Sequence, residues 1–498
     1  MGNSTGAATA PESFFKRYGL FMGLAALVAV VLLPAPEGLP VAGHRMLGIL
    51  VFSIIVWMTD SISYPVSAAV ILALMAFLLG ISPDATEPVK VPVLGTTKGL
   101  TIALGGFSNT ALALVGGALF IAAAMTRTGL DKRIALVVLS KIGAKTNRVL
   151  IGVILVGFIL SFFVPSTTAR VSCMVPIVMG IITAFGVKRK SQFAAIMMIA
   201  TAQADSIWNV GIKTAAAQNM IAMGFIEKIL GKYITWMDWF IAAAPFAVIM
   251  SVVLYFTLMK LMPPEMDEIP GGKETVAREL AALGPMRVEE KKLMTLSVLL
   301  LFFWSTEKIV HPFDTSSTTL AAIALMLLPG IGVMTWKEAQ ERIPWGTLVL
   351  FGVGISLGSA LLSTKAAAWL AKFIVAGFGL QTMPILGILA VLAAFLIIIH
   401  LGFASATALA AAMIPILISV LQSVKTPGVN VVGMTMILQY VVSFGFILPV
   451  NAPQNMVAYG TDTFEVKDFI RTGIPLTVCA YLTILLLGAT YWKWLGII

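Results

Sequence analysis

Two short stretches of this 498-residue chain hold hydroxyls in the middle of long apolar runs. One is Ser166-Thr167-Thr168 within "FVPSTTARVSCMVPI", with Arg170 just behind it. The other is Ser405-Ala406-Thr407 within "LGFASATALAAAMIPIL". Two more stretches bring side-chain amides and a cation into apolar surroundings. Lys213 and Asn219 lie in "GIKTAAAQN", and Asn451 and Asn455 in "LPVNAPQN". Hydroxyls at the start of a helix, next to its unpaired N–H groups and the positive end of its dipole, favour an anion. Arg170 adds a planar fork that suits a carboxylate, and Lys213 a second fixed cation. This is binding chemistry. The chain has no H-E-x-x-H, no G-x-S-x-G and three histidines in all, so neither an enzyme nor a metal or cofactor site is expected.

The elements that carry these residues must be membrane helices. Hydrophobic residues make up 59% of the chain and charged residues 11%, against about a quarter charged in soluble domains. Mean hydropathy is +0.98. Apolar runs such as Tyr18–Leu33, Val66–Leu79, Phe240–Met259 and Leu476–Leu487 recur along it, and about 20 residues cross a bilayer. The alternating pattern of a membrane barrel is absent. Cys173 and Cys479 lie in apolar segments and suggest no disulfide framework. The net charge of +10 points to basic cytoplasmic loops; no basic stripe interleaved with aromatics suggests nucleic acid. The N-terminal stretch 1–20, with Lys16 and Arg17 before the first span and no clear cleavage site, reads as a cytoplasmic tail.

Val149–Val187 spans 39 residues and has Arg170 as its one charge, with basic loops at both ends. Both ends therefore lie on one side, and two full crossings would need about 40 residues plus a turn. A re-entrant hairpin over 149–187, broken at Pro165, is the economical reading; two short spans with a polar turn is the other. Pro165 removes a backbone donor, and Ser166, Thr167 and Thr168 are good caps for the returning helix.

The chain repeats itself. Ser166-Thr-Thr168 and Ser405-Ala-Thr407 sit the same distance before Pro176 and Pro415, at an offset of 239. "TAAAQNM" and "VNAPQNM" follow at an offset of 236, and Gly116 and Gly354 open a third, looser match at 238. Paired breaks at matching positions of two membrane repeats point to a transport site. The expected organisation is a first half over 21–262 with hairpin 149–187 and broken helix 192–225. A cytoplasmic connector over 263–292 follows, with a short helix at Thr275–Ala282. The second half, 293–498, holds hairpin 383–424 and broken helix 430–460. At the 239 offset Arg170 matches Leu409, so the positive charge has no twin.

At these paired motifs the chain resembles the divalent anion/sodium symporter family (DASS, INDY-like). It looks most like the bacterial citrate and dicarboxylate exchangers and the plastid 2-oxoglutarate/malate translocators, over nearly its whole length. That resemblance implies an all-α polytopic membrane protein of two inverted repeats, with about 11 transmembrane segments plus two re-entrant hairpins. It implies a scaffold that forms a homodimer, a transport domain that moves as an elevator, and di- or tricarboxylate anions as substrates in a lipid membrane, here the cell inner membrane. The family's Ser-Asn-Thr tips correspond to Ser166-Thr-Thr168 and Ser405-Ala-Thr407. Its Gly-Thr-containing breaks correspond to Ala215–Asn219 and Asn451–Asn455. The tip asparagines and both Gly-Thr pairs are missing here. Arg170, with Lys213, is then expected to replace sodium as counter-charge. An empty carrier with an uncompensated cation at membrane depth would cross slowly, which predicts sodium-independent antiport; a sodium-coupled symporter is the alternative. Arg170 could instead pair with Asp205. Asn219 and Asn455 suit holding the breaks together as well as touching substrate. Asp60 reads as structural, His400 as a packing residue with a conceivable proton role, and Ser108-Asn109-Thr110 as a helix cap.

Overall fold

The computed structural model describes residues 14–83, 93–142, 145–184, 187–265 and 272–498. Their regular secondary structure is helical, with no strand among the described residues. Among the described residues, eight helices are long and apolar enough to cross a membrane, and shorter apolar helices, among them Tyr64–Gly80, Ile385–His400 and Val431–Val442, lie between them. The chain is a multi-pass membrane protein. Most of the N-terminal stretch 1–20 and part of the connector fall outside the described residues.

The first hairpin consists of an entering helix, Thr146–Phe163, and a returning helix, Thr167–Ala184. Pro165 lies between them and cannot donate to the preceding turn. Ser166 supplies the cap: its carbonyl accepts from Arg170 N at 3.0 Å and its Oγ from Ala169 N at 3.4 Å. The second hairpin is built likewise from Ile385–His400 and Ala406–Ser423, with Ser405 Oγ accepting from Ala408 N at 3.3 Å. Pro176 and Pro415 stand inside the two returning helices.

Each hairpin is followed by an interrupted helix. Gln192–Gly211 gives way to a 3-10 turn, Lys213–Ala215, before Ala217–Leu230 resumes. Val431–Val442 is followed by the turn Pro449–Asn451 and then Pro453–Tyr459. One extended residue separates turn from helix in each case. Ala216 has φ −149° and ψ 142°, and Ala452, 236 positions on, has φ −152° and ψ 141°. The repeated sequence therefore folds into the same local backbone twice.

The connector contains a helix, Gly272–Ala282. It packs on Leu130–Ser140 and on the first returning helix. Two basic residues expected in a loop, Lys132 and Arg133, lie instead on the helix Leu130–Ser140 and fasten the connector. Lys132 reaches Glu279 at 3.3 Å, and Arg133 reaches Glu290 at 3.2 Å and the Gly284 carbonyl at 3.0 Å. Arg127 pairs with Glu338 at 2.9 Å. Asp60, in a left-handed conformation at φ 48°, ends the helix Val41–Thr59 and pairs with Lys16. Asn109 caps the helix Thr110–Thr128 through its side chain, as the sequence indicated.

Candidate functional site

The two tips and the two breaks converge on one cavity of about 250 Å³. Pro165 to Thr168 contribute from the first hairpin, and His400 with Ser405, Ala406 and Thr407 from the second. Ala216, Ala217 and Gln218 line it from the first break, and Ala452, Pro453 and Gln454 from the second. Tyr64, Asn209, Thr347 and Ser443 complete the polar wall. No Asp, Glu, Lys or Arg lines the cavity among the described residues.

Six of the eleven candidate residues therefore face this space: Ser166, Thr167, Thr168, Ser405, Ala406 and Thr407. The other five, Arg170, Lys213, Asn219, Asn451 and Asn455, do not line it. Arg170 is fully buried. Its Nε donates to Asp205 Oδ1 at 2.8 Å. One terminal nitrogen donates to the Val164 carbonyl at 2.7 Å and the Ala215 carbonyl at 3.1 Å. The other donates to Asn209 Oδ1 at 2.8 Å. The expected uncompensated cation is thus corrected: Asp205 neutralises Arg170, and the guanidinium ties the tip to the break. Asn209 Oδ1 also accepts from Thr167 Oγ1 at 2.9 Å, so the clamp reaches the cavity wall.

Lys213 is buried and turned away from the cavity. Its ammonium donates to the Ile234 carbonyl at 2.6 Å and sits 4.9 Å from the Tyr233 ring centre. Lys308 approaches the same ring at 4.4 Å. Asn219 Nδ2 donates to three carbonyls of the break, those of Asn209, Ile212 and Lys213. Asn455 Nδ2 donates to the Gly445 carbonyl. Asn451 Nδ2 spans the second tip, reaching the carbonyls of His400 at 2.9 Å, Leu401 at 3.3 Å and Phe403 at 3.2 Å.

The repeat explains these last contacts. Val164 and Phe403 correspond at the 239 offset, and Ala215 and Asn451 at the 236 offset. Arg170 serves both carbonyls in the first half. In the second half the Asn451 amide serves Phe403, and His400 Nε2 lies 3.3 Å from the Asn451 carbonyl. An ion-paired clamp in one repeat is matched in the other by a clamp of Asn451 and His400 without an ion pair. The repeats also cross-link each other. Gln218 Nε2 donates to Ser443 Oγ at 3.3 Å, while Gln454, its counterpart, donates to Ser206 Oγ at 3.1 Å. Both glutamines line the cavity. They were legible as parts of the breaks, whereas Asn209, Tyr64, Thr347 and Ser443 carry no motif that would single them out.

Residues 15–498 match the family described as the sodium:sulfate symporter transmembrane region. The chain belongs to this family. Among its relatives, a protein of Cupriavidus necator known as "Membrane protein" is 58% identical over 480 residues, covering 96% of this chain and 93% of that one. Inner membrane protein YbhI of Escherichia coli is 28% identical, covering 96% and 97%. The sodium-dependent dicarboxylate transporter SdcS of Staphylococcus saprophyticus is 25% identical, covering 94% and 90%. Two solved structures share the fold. The YdaH transporter of Alcanivorax borkumensis has TM-score 0.58 at 14% identity, covering 87% of this chain and 98% of that one. MtrF of Neisseria gonorrhoeae has TM-score 0.55 at 16% identity, covering 93% and 97%. The membership makes the chain a transporter.

Proposed function

We propose that the chain carries small di- or tricarboxylate anions of the citrate, succinate, malate and 2-oxoglutarate class across the bacterial inner membrane. The observation that carries this reading is the cavity itself. It joins two helix starts, four amide or hydroxyl clusters and no acidic side chain among the described residues. Such a wall donates hydrogen bonds to an anion without repelling it. That SdcS is a dicarboxylate transporter by name supports the same substrate class.

The mode proposed is sodium-independent exchange by an elevator movement of the hairpins and broken helices against a scaffold, with the N-terminus cytoplasmic and a homodimer as the working unit. The hairpins are re-entrant on this reading, because both flanks of 149–187 are basic. Exchange does not draw on Arg170, whose charge Asp205 balances; it draws on the resemblance to the exchangers. Sodium-coupled symport is the second reading, favoured by the name of SdcS. Counterflow of labelled succinate, malate, citrate and 2-oxoglutarate, with sulfate as the contrasting anion, separates these possibilities. Saturable exchange in sodium-free proteoliposomes is expected. Uptake that requires a sodium gradient would establish the symport reading instead, and transport of sulfate alone would remove the carboxylate class.

A further inference from the structure

A dicarboxylate entering this cavity meets no formal positive charge on the side chains that line it. Burying unpaired charge is costly, so a counter-charge must arrive with the ligand. One lining side chain can supply it. His400 is 2% exposed and forms part of the cavity wall at the end of the second hairpin's entering helix. Its Nε2 faces the Asn451 carbonyl at 3.3 Å. A carbonyl only accepts, so Nε2 carries hydrogen, and the neutral ring's lone pair is then on Nδ1. That nitrogen is buried and has no hydrogen-bond partner among the described residues. A neutral ring offers an anion in the cavity no charge, whereas a ring protonated at Nδ1 places a positive charge in the cavity wall.

We infer that His400 takes up a proton at Nδ1 when an anion occupies the cavity and releases it when the cavity empties, making the proton a coupling ion of the carrier. This rests on the carboxylate reading and deepens it. The proton comes from bulk water and returns there on the far side, with the Nε2–H bond to the Asn451 carbonyl unchanged in both forms. Other titratable and charged groups stand on the elements packed around the ring, and the buried Asp205 of the first clamp has an oxygen, Oδ2, without a hydrogen-bond partner among the described residues. Tyr64 is the other titratable side chain in the cavity wall. The helix Val41–Thr59, whose Met58 abuts Gly402, carries His44 and Arg45 at its opposite end, and Asp60 follows it in a pair with Lys16. Val431–Val442 carries Tyr440. Val466–Ala489 carries Cys479 and Tyr481, and Lys467, Asp468 and Arg471 in its opening turns. An empty carrier with a neutral ring can also return unloaded, so net uptake becomes possible beside exchange.

The test is titration calorimetry of the purified full chain with succinate, malate and citrate at about pH 7.5, in buffers of different ionisation enthalpy. The dependence of heat on buffer counts protons directly. About one proton taken up per anion bound is expected, with affinity rising as pH falls. His400→Gln keeps an N–H for the Asn451 carbonyl and lacks a basic site; it should bind more weakly with no proton uptake and a flat pH profile. Binding by the wild type without proton uptake overturns the inference, whatever the variant does. Undiminished uptake in His400→Gln overturns it too, by placing the proton elsewhere. Absence of any carboxylate binding would show as no heat at all, and would remove the substrate class together with the inference.

Discussion

Asn219 and Asn455 make the same hydrogen bond in the two halves of the molecule. Each Nδ2 reaches the carbonyl ten residues before it, that of Asn209 at 2.6 Å and that of Gly445 at 2.7 Å. Both amides are fully buried. The broken ends of each interrupted helix leave carbonyls without helical partners, and these asparagines satisfy them.

Replacing either asparagine by alanine strips a buried carbonyl of its partner, at about 1–3 kcal/mol. Asn219→Ala should be the more harmful, since its amide serves three carbonyls. Thermal unfolding in detergent checks this: both melting temperatures fall, Asn219→Ala further. Equal, unchanged values would show that the amides do not hold the breaks.

Arg170 and Asp205 form a buried pair, so losing one partner should cost more than losing both. Arg170→Met or Asp205→Leu alone leaves a buried charge, at about 3–5 kcal/mol. The double variant should recover part of that loss. Folded yield and melting temperature of the four proteins of the cycle decide it; additive losses would mean the pair is not coupled.

Thr168 and Thr407 face the cavity from the two tips. Thr168→Ala and Thr407→Ala should each weaken carboxylate binding by about tenfold, the effect of one hydrogen bond to a charged group. The melting temperature of the unliganded protein should move little. Calorimetric affinities that match the wild type would place the ligand away from the tips.

Glu338 predicts an acid-dependent loss of stability outside the membrane. The backbone N–H of Thr335, followed by Arg127, holds its carboxyl down from 4.5 to about 2. A depressed folded-state value stabilises above the unfolded one and loses that contribution as the pH falls from about 4.5 toward 2. Glu338→Gln should lower the melting temperature at neutral pH and flatten its fall across that window. An unaltered acid limb would show that other carboxylates set it.

Much of this architecture was legible because hydroxyls, amides and prolines in an apolar run have few other uses. Pro165 and the triplets announced the tips, and "AAAQN" against "NAPQN" announced the breaks. Arg170 was misplaced for a physical reason. An arginine beside an anion site and an arginine clamping the site's wall have the same sequence signature; only the approach of Asp205, Val164 and Ala215 tells them apart. Its lack of a sequence twin at Leu409 misled in the same way. The two carbonyls it serves do have equivalents, but they are served in the second half by Asn451 and His400, residues at other positions. Equivalence lay in the acceptors rather than in the donors, and acceptors on the backbone leave no mark in a sequence.

The Thr167 contact has one more outcome. Its only hydroxyl hydrogen goes to Asn209 Oδ1, an oxygen already held by Arg170. Toward the cavity Thr167 can therefore offer only lone pairs. The first tip is a mosaic in which a spot that welcomes hydrogen lies among groups that welcome oxygen. A molecule carrying an alcohol next to its carboxylates can match both kinds of spot, whereas a plain diacid leaves one of them facing water.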